Sequence, residues 1–156
     1  VAGGTRTNYG HEAAYLSNTT FKDWVLSQDE YDLSKFAFLG NIPLPELKTL
    51  VDLSDLHVYL TAPYVLSWSL LQAMANGCII LGSKTAPVEE VITHGETGLL
   101  ADFYDVDALA YLAIDVLFTL KDWRHLGENA AALVRERYDK TKCINQLVEY
   151  FKEVMG

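Results

Sequence analysis

Apolar positions recur along this chain with two periods, and the alternation between them sets out the elements. Val1-Ala2-Gly3-Gly4 reads as the end of a buried strand running into a turn, so the chain is expected to begin mid-fold. Residues 11–16 and 21–26 carry the spacing of short helical pieces. Phe36-Ala37-Phe38-Leu39 is an aromatic and apolar run closed by Gly40, which predicts a strand. Pro43 and Pro45 stand where a helix begins, and Leu47, Leu50 and Val51 carry it to a break at Ser54-Asp55.

Residues 56–61 are rich in β-formers, and Pro63 bars their continuation as a central strand. Leu66, Leu70, Leu71 and Met74 then form the apolar stripe of a helix that Asn76-Gly77 stops with a left-handed turn. Residues 78–82 are apolar throughout, as a strand buried on both faces must be. Pro87 opens another helix, with Glu89 and Glu90 in its first turn and Gly95 past its end. Residues 98–101 make a brief edge strand. Asp105 caps a helix carrying Leu109, Leu112, Val116 and Leu117, and two more helical patterns follow, through Trp123, Leu126 and Leu133 and through Ile144, Leu147 and Phe151. Strands alternating with helices predict an α/β fold, a Rossmann-like parallel sheet with helices on both faces.

A chain of 156 residues supports one hydrophobic core, and with 50% hydrophobic and 21% charged residues and no linker-like run it reads as a single domain over residues 1–156. The net charge of -9 leaves no basic track for a nucleic-acid backbone or an anionic membrane. No apolar run reaches the roughly 20 residues that a membrane span needs, and the first residues lack the layout of a signal peptide. A cytoplasmic setting is expected, the full-length protein being a candidate for peripheral attachment to the inner face of the membrane. Cys78 and Cys143 fit two unrelated buried thiols better than a disulfide. Asn18-Thr19-Thr20 matches a glycosylation acceptor but reads more simply as the polar start of a helix.

In an open parallel sheet, ligands lie beyond the carboxyl ends of the strands, where helix N-termini present unpaired N–H groups. Three turns qualify: Gly40-Asn41-Ile42, residues 61–68 and residues 82–87. The second leads straight into a helix, so its amides can receive a phosphate without a Gly-rich fingerprint. Any strand-to-helix turn has this property. His11-Glu12-Ala13-Ala14-Tyr15 lacks the second His of a zinc-protease motif, and no metal site is expected. His57 within a strand and His94 at a helix end suit core or dipole roles.

Ser54-Asp55, Gln72-Ala73-Met74-Ala75-Asn76-Gly77, the strand at 78–82, Glu90-Val91-Ile92 and Gly95-Glu96-Thr97-Gly98-Leu99-Leu100 follow one another at fixed spacing. In this order they resemble the donor-binding region of the retaining family-four (group 1) glycosyltransferases of GT-B fold. The resemblance implies a carboxyl-terminal domain that binds a UDP-, GDP- or ADP-sugar as substrate, with no cofactor. It also implies an amino-terminal acceptor domain, absent here together with its catalytic residues, and hexosyl transfer with retention to a glycan, lipid or small molecule.

By that resemblance, backbone groups near Asn41 and Ile42 read the base, and Val65, Leu66, Ser67 and Trp68 turn N–H groups toward the diphosphate or sugar. The family carries two Glu separated by seven residues, facing the transferred sugar and the ribose. Tyr64 and Gln72 stand in those places. Gln72 still donates to and accepts from hydroxyls but lacks the charge-assisted bond of a carboxylate. Its other reading is a capping box, Ser69-Leu70-Leu71-Gln72. Tyr64 either offers its hydroxyl or stacks beside the sugar, or simply packs, and Trp68 is expected in the core. Lys84 and Thr85 share the same rim, Lys84 as a phosphate contact or a solvated loop lysine. Two other classes compete: a degenerate, non-catalytic descendant, motivated by positions 64 and 72, and a receiver-like signalling domain, which would need clustered acids at the strand ends.

In the family a basic pair on the first loop of this domain contacts the diphosphate, and that loop is expected upstream of Val1. A helix terminus gives a nearby anion up to ~2 kcal/mol, whereas micromolar binding needs about 8 kcal/mol. This chain by itself is therefore expected to bind UDP, GDP or ADP weakly or not at all. Titration calorimetry checks this, and an affinity tighter than micromolar would contradict the argument.

Overall fold

The computed structural model describes Leu16 and residues 19–61 and 66–156. The opening strand end, the helical piece at 11–15 and Pro63 to Val65 lie outside the described residues. The chain divides into two compact units, Val1–Lys48 and Thr49–Gly156.

In the first unit, Phe21–Gln28 forms α1. Thr20 is its N-cap, its hydroxyl oxygen accepting from the Asp23 N–H at 3.1 Å, so the polar run before the helix acts as a cap. A single 3-10 turn, Leu33–Lys35, follows under an Asp32 cap. The strand predicted at residues 36–39 is not formed among the described residues. Phe36 stacks on Phe38 with centroids 6.0 Å apart, Tyr31 meets Phe36 edge-on, and the Lys22 ammonium sits 4.1 Å above the Phe38 ring. The rings of this run thus pack on one another, on Tyr31 and under a cation. Gly40 ends the run with φ +63. Leu44–Asp52 then forms α2, whose residues from Thr49 onward belong to the second unit, with Pro45 in its first turn, where the missing N–H costs nothing.

The second unit is built on a parallel sheet of β1 (His57–Tyr59), β2 (Ile80–Ser83) and β3 (Leu99–Ala101), in spatial order β1-β2-β3. The register sets Tyr59 beside Gly82 and Ser83 beside Ala101. Every residue of β2 is buried, as its unbroken apolar sequence requires of a strand paired on both edges and covered on both faces. Between β1 and β2 the chain forms α3, Trp68–Ala75, whose buried stripe is Leu70, Ala73 and Met74 and whose end turns at Gly77 with φ +76. Between β2 and β3 it forms only one turn, α4, Ala86–Glu89. The helix expected to run toward Gly95 stops early because the Val88 carbonyl takes the N–H groups of both Val91 and Ile92, tightening the ladder, while the Thr97 hydroxyl takes the Thr93 N–H at 2.9 Å. Glu90 is therefore the C-cap and not a first-turn acid.

Three helices complete the unit: α5 (Val106–Phe118), α6 (Leu120–Arg137) and α7 (Lys140–Met155). Asp105 caps α5 by accepting from Ala108 at 2.9 Å, and Asp139 caps α7 by accepting from Thr141 and Lys142. Ile79, Leu81 and Leu99 point to one face of the sheet and pack on Val116 of α5 and Leu126 of α6. Gly82, offset by one position, points to the other face, where a Cβ would lie 3.2 Å from Val88 and from Leu100. Helices thus cover both faces. Cys78 and Cys143 are both free; the Cys78 thiol is raised above its ordinary pKa by burial and by the Asp52 charge, and donates to the Val51 carbonyl at 3.1 Å.

Below β2, α6 lies against the turn that ends α3. Gly127 of α6 faces the backbone of Gly77 so closely that an added Cβ would collide with the Gly77 carbonyl oxygen. An exposed helical Gly→Ala change typically stabilises by about 1 kcal/mol. Here the added methyl meets rigid backbone, and overpacking costs about 1–3 kcal/mol. Gly127→Ala is expected to destabilise the chain by up to about 2 kcal/mol net, read as a lower urea midpoint; a raised midpoint would show that α6 does not press on the Gly77 turn.

Candidate functional site

The carboxyl ends of β1 and β2 lie side by side, and buried hydroxyls tie down the backbone that leaves them. Ser83, fully buried, donates its hydroxyl to the Thr61 carbonyl at 3.0 Å and accepts from the Thr61 N–H at 3.1 Å. The Tyr59 hydroxyl accepts from the Ser67 N–H at 2.9 Å. Ser67 is the N-cap of α3: its Oγ accepts from the Ser69 N–H at 3.3 Å, and its carbonyl accepts from the Leu70 N–H.

This start displaces two expectations. The capping box at Ser69 and Gln72 is not formed, because the helix begins at Trp68 and Ser67 has the capping role. Gln72 instead lies mid-helix with an exposed side chain. Trp68 is not in the core; its side chain is 82% exposed, since the buried stripe of Leu70, Ala73 and Met74 leaves the first helical position outside it. Leu66 is half-buried just ahead of the cap. Tyr64 and Val65 lie outside the described residues. Asn41 and Ile42 belong to the first unit, Asn41 exposed and Ile42 half-buried after the Gly40 turn.

Lys84 and Thr85 follow β2 directly. The Lys84 N–H donates to the Ala101 carbonyl at 2.7 Å and its side chain is exposed. Thr85 is 7% exposed and occupies the N-cap position of α4, yet its hydroxyl makes no cap bond and has no partner among the described residues. A cleft of about 440 Å³ opens beside Lys84, lined also by Glu89, Ile92, Thr93, His94 and Leu100. His94 accepts the Leu100 N–H on Nδ1 at 2.9 Å, so that nitrogen carries no proton. The cleft includes none of Leu66, Ser67 and Gln72, so Lys84 is set apart from the start of α3 by its lining, while the Ser83–Thr61 bonds join the two turns through the backbone. Tyr59 and Ser83 were not marked as site residues by the sequence; their one signal was a hydroxyl at the end of an otherwise apolar strand.

The sequence pattern of the family described as glycosyl transferases group 1 matches residues 20–133. The chain belongs to this family. N-acetyl-alpha-D-glucosaminyl L-malate synthase of Bacillus anthracis is 32% identical over 106 residues, covering 68% of this chain and 28% of that protein. Among solved structures, HepE of Anabaena in complex with UDP-glucose matches at TM-score 0.69 and 22% identity over 74% of this chain and 32% of its own. Sucrose-phosphate synthase from Thermosynechococcus elongatus matches at TM-score 0.69 and 22% identity over 76% and 30%. The structural likenesses carry the fold, that of GT-B glycosyltransferases. The chain spans under a third of the length of each of these relatives. As a group 1 glycosyltransferase domain it has a parallel sheet whose carboxyl rim meets the N-terminus of α3, and no helix among its described residues is long and apolar enough to cross a membrane.

His57 opens β1 on the opposite end from this rim, and burial lowers its pKa below the ordinary 6.5. The unfolded chain then takes up a proton at a higher pH than the folded one, so this group's contribution to stability is full above about pH 6.5 and is lost as pH falls below it. His57→Asn is expected to flatten the fall in stability between pH 7 and pH 5, measured as the difference in urea midpoints between parent and variant. Parallel pH profiles would show that His57 does not titrate with folding.

Proposed function

We propose that this chain is the donor half of a retaining glycosyltransferase and holds a nucleotide-diphosphate sugar for hexosyl transfer to a glycan, lipid or small-molecule acceptor. The observation that carries this reading is the start of α3: it stands at the carboxyl end of β1 and presents the Trp68 N–H, which has no partner among the described residues, in a chain of the group 1 family. A UDP-sugar is the first candidate among UDP-, GDP- and ADP-sugars, supported by HepE structures solved with UDP and with UDP-glucose.

In this assignment Gln72 contacts the ribose, and Tyr64, Val65, Leu66 and Ser67 border the sugar and diphosphate. Lys84 and Thr85 stand on the neighbouring turn, directly after β2. The exposed Gln72 side chain, released from a capping role, favours the ribose contact. The leaving diphosphate gains charge as the glycosidic bond breaks, and the Trp68 N–H together with the dipole of α3 helps to spread that charge with little reorganisation. The acceptor and its domain belong to the rest of the protein, working at the cytoplasmic side. A second reading, a degenerate module that binds nucleotide-sugar without transfer, is favoured by Tyr64 and Gln72 standing where the family carries carboxylates.

Transfer and hydrolysis by the full-length protein with a panel of UDP-, GDP- and ADP-sugars tests the assignment. Gln72→Glu is expected to lower the donor KM by about five- to tenfold, the gain of a charge-assisted over a neutral hydrogen bond. Undetectable nucleotide binding with every donor would sink the enzyme reading, and binding without turnover would select the degenerate module.

A further inference from the structure

Of the N–H groups from Ser67 to Leu70, three are taken within the protein and only that of Trp68 has no partner among the described residues. The three bonds have different origins. Those of Ser69 and Leu70 go to Ser67 itself and belong to any capped helix. The bond of Ser67 goes to Tyr59, eight residues back and on the neighbouring strand, and it fixes where the capped helix begins. At the other end of the same connection, Ser83 takes both the N–H and the carbonyl of Thr61 with a single oxygen, an extra ladder rung supplied by a side chain.

We infer that Tyr59 is a positioning residue for the donor: through the Ser67 N–H it sets the location and direction of the Trp68 N–H, with Ser83 holding the strand end from which the connection departs. This inference rests on the donor-site reading given above and deepens it. An amide that receives the donor's diphosphate contributes to binding only if it is already in place, within about 0.5 Å and 10–20°. Ser67 and Trp68 are both exposed, so the packing of their side chains does not supply that constraint. Tyr59 does: it is a buried, rigid ring on a strand in register with Gly82, and its oxygen takes the Ser67 N–H at 2.9 Å. Among the described residues, no other side chain bonded to the start of α3 comes from outside α3 and its cap.

The arrangement explains why a hydroxyl is needed at position 59. A phenylalanine would fill the same volume and leave the core intact, but would release the Ser67 N–H to water and let the cap drift. In the full-length enzyme, Tyr59→Phe is expected to raise the KM for the nucleotide-sugar by about three- to tenfold, the range of one lost hydrogen bond, with kcat changed by less than about threefold. Amide exchange at Ser67, followed by NMR or mass spectrometry, is expected to speed up by about tenfold with the amides of β2 unchanged. A purely structural tyrosine would lower the melting temperature and leave the KM alone. Unchanged exchange at Ser67 overturns the inference, and so does faster exchange with an unchanged KM. If the unsubstituted enzyme binds no nucleotide-sugar, the donor-site reading falls and takes this role with it, a failure told apart from that of Tyr59 alone by the parent's own binding.

Discussion

A strand paired on both edges and covered on both faces leaves no water for a polar atom to turn to, and β2 is such a strand. This constraint orders the second unit. Ile80, Leu81 and Gly82 carry no side-chain polar atom at all, and the first hydroxyl along the strand, Ser83, arrives where it can bond to the neighbouring backbone at Thr61. Polar chemistry therefore emerges at the carboxyl rim because the strand excludes it everywhere else. The two strands beside β2, the short helix above Gly82 and the long pair of helices against Leu81 are placed by the need to keep that strand dry.

The sheet and the helices of the second unit were legible in the sequence because burial writes itself into the pattern: a short run with no polar break, flanked by stripes at helical spacing, has few other solutions. The caps at Asp105 and the stop at Gly77 were legible for the same reason, since each is a residue type tied to one backbone geometry. Where the pattern misled, the outcome turned on a partner the local sequence does not name. Residues 36–39 have the composition of a strand but satisfy their rings with Tyr31 and Lys22. The helix after Pro87 has the right termini but loses its ladder to the Thr97 hydroxyl and the doubled bond at Val88.

The site was legible in outline and not in detail. Its place followed from topology, and Gln72 was marked by its position in the family pattern. The sequence left two caps open, because Ser67 and Ser69 offer the same chemistry; the helix starts at Trp68 under Ser67, whose N–H goes to the Tyr59 hydroxyl. Tyr59 escaped notice because a tyrosine in a strand is what packing alone would choose. Its function lies in one oxygen at the end of an otherwise ordinary core residue.

The spatial order of the strands is also their order in the chain, and each pairing joins segments about twenty residues apart. Closing loops of that length costs little more entropy than closing much shorter ones, since the penalty grows only with the logarithm of length. Among the described strands none has to wait for a distant one, and β2 can receive β1 as soon as α3 has been made. Assembly can thus proceed in the direction of synthesis, with β3 and the C-terminal helices closing over a strand pair that already exists.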